Sequence, residues 1–199
     1  MKAGKLWVLE GIDGTGKSTH ATRLANEFGL AHFREPGSTP VSEQVRSILL
    51  KNTMEPATRA LLYIAARTEF VNTILLPVLN SGRDVILERY FYSTLVYQKG
   101  VLPGNAMRDL HSTMPEPDMV FLLDCPAEIA QQRDIDPNDA ITSGKSASYF
   151  QSLRNRYTDA LRRTRHVVVD ANVPMDEVYE NIVRVLAREN PNRFSRRAP

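Results

Sequence analysis

Short apolar runs alternate with helical patterns along the chain. Leu6, Trp7, Val8 and Leu9 form the first run and read as a buried strand. After Ser18, apolar residues fall at Ala21, Leu24, Ala25 and Phe28, the spacing of one helix face, and Gly29 supplies the stop. Uninterrupted apolar runs predict further strands at Ala31–Arg34, 84–88, Met119–Asp124 and His166–Asp170. Runs without alternation suit parallel strands covered on both faces. Helical patterns occupy 40–51, 56–80, 105–113, 126–133, 147–163 and 175–188, and Pro77 is expected to kink or end the second. Phe150, Leu153, Tyr157 and Leu161 mark the core face of the fifth. Strands separated by helices imply right-handed crossovers, hence a three-layer α/β/α fold on a five-stranded parallel sheet.

Composition narrows this picture. The 199 residues, 42% hydrophobic and 24% charged, suit one globular domain, expected over 1–189, with 190–199 as a flexible basic tail. Cys125 is the single cysteine, which excludes an intrachain disulfide and fits a reducing compartment. The first strand begins within about five residues of Met1, leaving no room for a signal peptide, and no apolar run is expected to reach the ~20 residues that span a bilayer. A cytoplasmic protein without membrane contact is the expectation. A net charge of +2 argues neither for nor against nucleic acid, but outside its arginine-containing tail the chain lacks a basic stripe with aromatics, so no nucleic-acid partner is expected.

The chemistry starts between the first strand and the first helix. Gly11, Gly16, Lys17 and Ser18 spell G-x-x-x-x-G-K-S, the phosphate loop of P-loop nucleotide-binding proteins. Glycines let successive N–H groups converge on an anion at a helix N-terminus. Lys17 adds charge for the outer phosphates, and the Ser18 hydroxyl suits Mg2+. Ligands of such sheets sit at the carboxyl ends of the strands. That rule marks Glu10, Arg34, Glu35, Glu88, Arg89, Asp124 and Asp170, the last two also readable as helix caps.

A second set of residues suits a second substrate. Pro36 and Gly37 turn the chain sharply and present Arg34 and Glu35 at the rim. Tyr63 and Arg67, four apart on a helix, suit a flat heterocycle, and equally a core tyrosine beside a solvated arginine. Arg89 follows a strand directly, where it can clamp a phosphate, and Ser93, Thr94 and Gln98 add small hydrogen-bonding groups on a short helix.

Residues 9–19 resemble the opening of thymidylate (dTMP) kinases. Arg34-Glu35-Pro36-Gly37 resembles the bacterial R-E-P-G turn, and Tyr63 with Arg67 the aromatic-x-x-x-Arg helix. Arg89-Tyr90, Ser93-Thr94 and Tyr97-Gln98 are similar to a third family segment, and the likeness runs from about 5 to 188. The resemblance implies ATP-dependent phosphorylation of dTMP with Mg2+, in a homodimer with a short lid at about 134–148. It implies that Gly11, Asp13, Gly14, Thr15, Gly16, Lys17, Ser18 and Thr19 hold ATP, with Arg133 on the adenine. Asp13 would hold the 3′-hydroxyl, Tyr63 would stack on thymine and Arg67 would bond its edge. Arg89, aided by Arg34, would grip the acceptor phosphate; Ser93, Thr94 and Gln98 would line the site, with Tyr97 under the sugar. Lys17 would bridge the phosphates, with Ser18 at the metal and Glu35 and Glu88 near it.

Three positions depart from the family pattern. Glu88 stands where Asp is usual, a feature shared with deoxynucleoside kinases, and His20 stands where Gln is frequent. The phosphate loop has no arginine, so the lid should be basic, yet 134–148 holds one basic residue, Lys145. Either Lys145 closes over the phosphoryl group as a catalytic residue, or Arg133, Arg154 or Arg156 reaches in, or Lys145 is a surface lysine. The rival functions are a kinase for another deoxynucleotide or a deoxynucleoside, and a nucleotide-binding module without turnover.

Overall fold

The computed structural model describes residues 3–103, 105–133 and 144–195. Five strands, β1 (Leu6–Glu10), β2 (Ala31–Arg34), β3 (Val85–Glu88), β4 (Met119–Asp124) and β5 (His166–Asp170), form one parallel sheet in the order β2-β3-β1-β4-β5. Every residue of β1 is buried, as expected of a central strand covered on both faces. The register aligns Arg34 with Glu88, Leu9 with Glu88 and Asp124 with Asp170. The polar residues that close the strands therefore share one edge of the sheet.

The helices are α1 (Lys17–Phe28), α2 (Pro40–Lys51), α3 (Pro56–Phe70), α4 (Leu76–Asn80), α5 (Phe91–Tyr97) and α6 (Ala106–Asp109). They continue with α7 (Ala127–Arg133), α8 (Ala147–Leu161), α9 (Met175–Glu189) and α10 (Pro191–Phe194). Thr39 caps α2, accepting from Ser42 N at 3.0 Å, and the Ser42 hydroxyl donates to Ala66 O at 2.8 Å. The pair ties the start of α2 to α3.

Four expectations need correction. Pro77 does not end its helix: a π-helical turn, Val71–Leu75, joins α3 to α4. Proline cannot donate to the carbonyl four residues earlier and its ring crowds that carbonyl, and the wider turn accommodates both. The helix expected over 105–113 is confined to Ala106–Asp109. The segment Pro56–Asn80 is, by length and composition alone, long and apolar enough to cross a membrane, contrary to the sequence reading. In the fold its apolar face, including Ala60, Ile64, Phe70 and Leu75, is buried in the protein.

The expected tail is the fourth. Pro191–Phe194 forms α10, and Phe194 is buried against the Trp7 and Phe28 rings at 5.7 and 5.1 Å. Arg193 Nε lies 3.0 Å from Asp84 Oδ2, and Asp84 also accepts from Lys5 N at 2.8 Å. The C-terminal turn thus closes over the start of the sheet. Residues 196–199 lie outside the described residues.

Candidate active site

The loop after β1 is built on close backbone approach. Gly11 has φ +141, and a Cβ there would lie 2.4 Å from Leu123 O. Gly14 has φ +80, and its Cβ would lie 2.5 Å from Ala130 O. Only glycine fits either place without displacing backbone. Gly16 caps the start of α1, and Lys17 turns back so that Nζ donates to Ile12 O at 2.7 Å. Burial, reinforced by the neighbouring Arg89 charge, pushes the Lys17 ammonium down to about 8. Thr15 also bonds Ile12 O, at 2.9 Å.

Ser18 and Glu88 meet across the cleft at the phosphate loop. The Ser18 hydroxyl donates to Glu88 Oε2 at 2.5 Å, and His32 Nε2 lies 2.5 Å from Oε1. Burial would raise the Glu88 carboxyl, but the contacts from His32 and Ser18 outweigh it and hold it low. A hydroxyl and an ionised carboxylate side by side are hard oxygen donors of the kind Mg2+ takes, so these residues fit that ion. Thr19, Arg34, Glu35 and Arg46 line the same cleft.

A second cleft, with an empty volume of about 640 Å³, opens beside the first. It is lined by Tyr63, Arg67, Ser93, Thr94, Tyr97 and Gln98, together with Pro36, Leu49 and Leu50. Asp13, Glu35, Arg46 and Arg89 line both clefts. The spacing of Tyr63 and Arg67 left open whether they face a ligand or the core; both line this cleft.

Arg89 stands where the clefts meet. It follows β3 with φ +62, a left-handed conformation costing a non-glycine residue about 1–2 kcal/mol. Buried contacts hold the turn: Arg89 N donates to Leu9 O at 2.9 Å, while Tyr90 N and Ser93 N donate to Glu10 Oε1 at 2.8 and 3.2 Å. Glu10 Oε2 accepts from the Ser93 and Tyr157 hydroxyls at 2.7 and 3.0 Å. The guanidinium pairs with Asp13 and donates to Ser93 Oγ at 3.0 Å. Tyr97 donates its hydroxyl to the other Asp13 oxygen at 2.8 Å. Burial alone would raise the Asp13 carboxyl; Arg89 and Lys17, with the hydrogen bonds from Tyr97 and Arg89, overcome it and hold it at about 2.

Arg67 anchors the back of the second cleft. It pairs through Nε with Glu35, and Nη1 lies 2.9 Å from both Thr94 Oγ1 and His111 Nε2. Burial raises the Glu35 carboxyl to about 7 against the opposing Arg67 charge, and Glu35 Oε1 has no hydrogen-bond partner. The Arg67 contact ties one Glu35 oxygen to the base-side cleft, while Glu35 also lines the phosphate-loop cleft with Ser18 and Glu88.

Other expected residues sit at or beyond the edges of the clefts. Arg34 is half-exposed and pairs with Glu43 at 3.3 Å. Arg133 donates to Ala171 O at 2.9 Å, and its Cβ would lie 3.1 Å from one added at Gly14, which puts it beside the phosphate loop. Lys145 is exposed beside the Tyr149 ring, 5.5 Å from its centroid, and lines neither cleft. Arg154 makes a bidentate pair with Asp124, both bonds 2.7 Å, and Arg156 donates to Val96 O at 3.1 Å. Asp170 Oδ1 accepts from Asn172 N at 2.8 Å, a turn contact. Lid residues 134–143 lie outside the described residues.

Four residues were not assigned a role from the sequence: Glu10 was marked only as a strand end, and Arg46, His32 and His111 carried nothing. Arg46 lies on α2 among polar positions, and nothing in the periodicity separates it from a solvated face. It donates to Pro36 O at 3.2 Å and lines both clefts, its guanidinium depressed by burial and by Arg34. The histidines gain partners only through the fold. Glu10 did carry a signal, as the one charge closing an otherwise apolar strand.

A parallel sheet, a phosphate loop and an adjoining aromatic, cationic cleft define a P-loop nucleotide kinase. The model of the family described as thymidylate kinase matches residues 9–182. A thymidylate kinase of Chlorobium chlorochromatii is 35% identical over 89% of this chain and 92% of its own length. One of Dinoroseobacter shibae is 37% identical over 90% and 95%, and a probable thymidylate kinase of Pyrococcus abyssi 32% identical over 94% and 97%. The chain belongs to the thymidylate kinase family.

Proposed function

We propose that this protein transfers the γ-phosphoryl group of ATP to the 5′-phosphate of dTMP, yielding ADP and dTDP. The observation that carries this reading is the sharing of Asp13, Arg46 and Arg89 by two adjoining clefts, one at the phosphate loop and one lined by Tyr63, Arg67 and Tyr97. A donor phosphate in the first cleft and an acceptor phosphate in the second would meet beside Arg89.

The residues divide the work by position. Backbone N–H groups from Gly14 to Ser18 cradle the ATP phosphates, and Lys17 leaves Ile12 O to balance charge on the group in transit. Thr19 lines that cradle, Thr15 lies in it with its hydroxyl turned to Ile12 O, and Arg133, beside Gly14, would meet the adenine. Arg89 and Arg46 hold the acceptor phosphate, with Arg34 at the rim. Tyr63 stacks on thymine and Arg67 donates to its edge, while Thr94 and Gln98 complete the base pocket. Asp13 accepts from the 3′-hydroxyl, and Tyr97 packs under the sugar. Ser18 and Glu88 would hold Mg2+, which when bound neutralises the β- and γ-phosphate oxygens. Lys145 lines neither cleft, whereas Arg34 lines the phosphate-loop cleft and would supply charge there.

A homodimer is part of the proposal. Val41 and Ile48 share one face of α2, Leu61 lies on the adjoining α3, and these large apolar side chains are 50%, 45% and 51% exposed. The experiment that tests the function is ADP release from ATP and Mg2+ with dTMP, dUMP, dCMP, dGMP and thymidine as acceptors. Turnover with dTMP well above the others is expected. Turnover with thymidine alone would make the protein a nucleoside kinase, and none with any acceptor would leave a binding module.

A further inference from the structure

The base-side cleft has one buried arginine, and a residue behind the cleft decides part of how its donors are used. Arg67 is 3% exposed, and a guanidinium carries five N–H donors. Nε serves Glu35; the two Nη1 hydrogens serve Thr94 Oγ1 and His111 Nε2, each at 2.9 Å; Nη2 serves Tyr90 O at 3.3 Å. One Nη2 hydrogen remains for a ligand.

His111 lines neither cleft and is 4% exposed. Its Nδ1 lies 2.5 Å from Met107 O, and its ring stacks on Phe91 at 5.5 Å and 28°. A carbonyl only accepts, so Nδ1 carries the hydrogen and the Nε2 lone pair accepts from Arg67. Burial first, and then the Arg67 charge, push the imidazole down to about 4, so the ring stays neutral at physiological pH.

We propose that His111 is a positioning residue which, with Glu35, locks the Arg67 guanidinium so that one N–H faces the base, making the cleft select a carbonyl oxygen over an amino group at that edge. The inference rests on Arg67 meeting the base as proposed above. A guanidinium held on three sides cannot turn to relieve a mismatch. An amino group there would face the remaining N–H donor to donor, leaving both unpaired out of water.

The test compares His111→Phe, which keeps a ring on Phe91 but removes the acceptor, with His111→Gln, whose amide oxygen reaches toward the Nε2 position. ADP release gives kcat and KM for dTMP, dCMP and ATP. His111→Phe should raise the KM for dTMP about tenfold, move kcat less, narrow the preference for dTMP over dCMP, and leave the KM for ATP unchanged. His111→Gln should recover most of the loss. An unchanged dTMP KM in His111→Phe overturns the proposal. So does a joint rise in both KM values that Gln does not repair, the mark of a scaffold residue alone. Should His111→Phe not fold, His111→Asn replaces it: its shorter amide reaches the Nδ1 position, so Asn and Gln variants behaving alike would also overturn the proposal. Arg67→Gln separates the two layers of the argument. If it leaves dTMP binding intact, the base-contact reading fails; if it weakens dTMP while His111→Phe does not, this inference fails alone.

Discussion

Arg89 and Asp13 form the residue pair on which the site turns. The carboxylate at about 2 is ionised across the physiological range and holds the guanidinium on the line between the clefts. Replacing Arg89 by Ala should raise the KM for dTMP by about 10- to 100-fold, the worth of a charge-assisted contact, with the KM for ATP changed much less. Initial rates against both substrates check this, and an unaltered dTMP KM would remove the clamp. Lys17 makes a pH prediction. Its ammonium lies at about 8 in the folded protein against an ordinary value of 10.5, so between these pH values the unfolded chain binds the extra proton. This group's contribution to stability therefore rises with pH across that window and is unfavourable below it. Phosphates restore the charge, so ATP binding near pH 8.5 should take up a proton. Calorimetric titration in buffers of different ionisation enthalpy reads the uptake; Lys17→Met should abolish it, and no uptake in the parent protein would contradict the account. At this scale the sequence was readable where a position follows from local spacing, as for Gly11, Lys17 and Arg89. It was silent where a role arises from distant contact: His111 and Arg67 lie 44 residues apart, and His32 and Glu88 lie 56 apart.

Element by element, strands were the clearest signal because uninterrupted apolar runs admit few alternatives, and all five strands lie where those runs placed them. Helix ends were harder. Pro77 is expected to kink or end its helix, and the helix continues past it through one widened turn. The polar, arginine-rich end concealed α10, because one residue, Phe194, supplies its anchor. Truncating that ring should show its worth. Phe194→Ala should cost about 3 kcal/mol and lower Tm by roughly 6–12 °C, while KM values at 25 °C stay near those of the parent. Thermal unfolding monitored by circular dichroism gives the answer, and an unchanged Tm would mean that α10 is not part of the folded core.

The whole molecule brings two clefts and one apolar face into a single argument. The face formed by Val41, Ile48 and Leu61 predicts self-association, and Ile48→Glu should convert a dimer to a monomer in sedimentation analysis. A parent protein that sediments as a monomer at micromolar concentration would refute the dimer. The central claim is that the base-side cleft recognises a monophosphate and a thymine together, with Arg89 at the phosphate. The measurement that tests it most directly is kcat/KM for dTMP against thymidine, and for dTMP against dCMP, in the parent protein and in Arg89→Ala. The account predicts strong preference for dTMP in both comparisons, with the Arg89 substitution collapsing the first and leaving the second nearly intact. Equal turnover of dTMP and thymidine in the parent, or a preference that survives loss of Arg89, would contradict it.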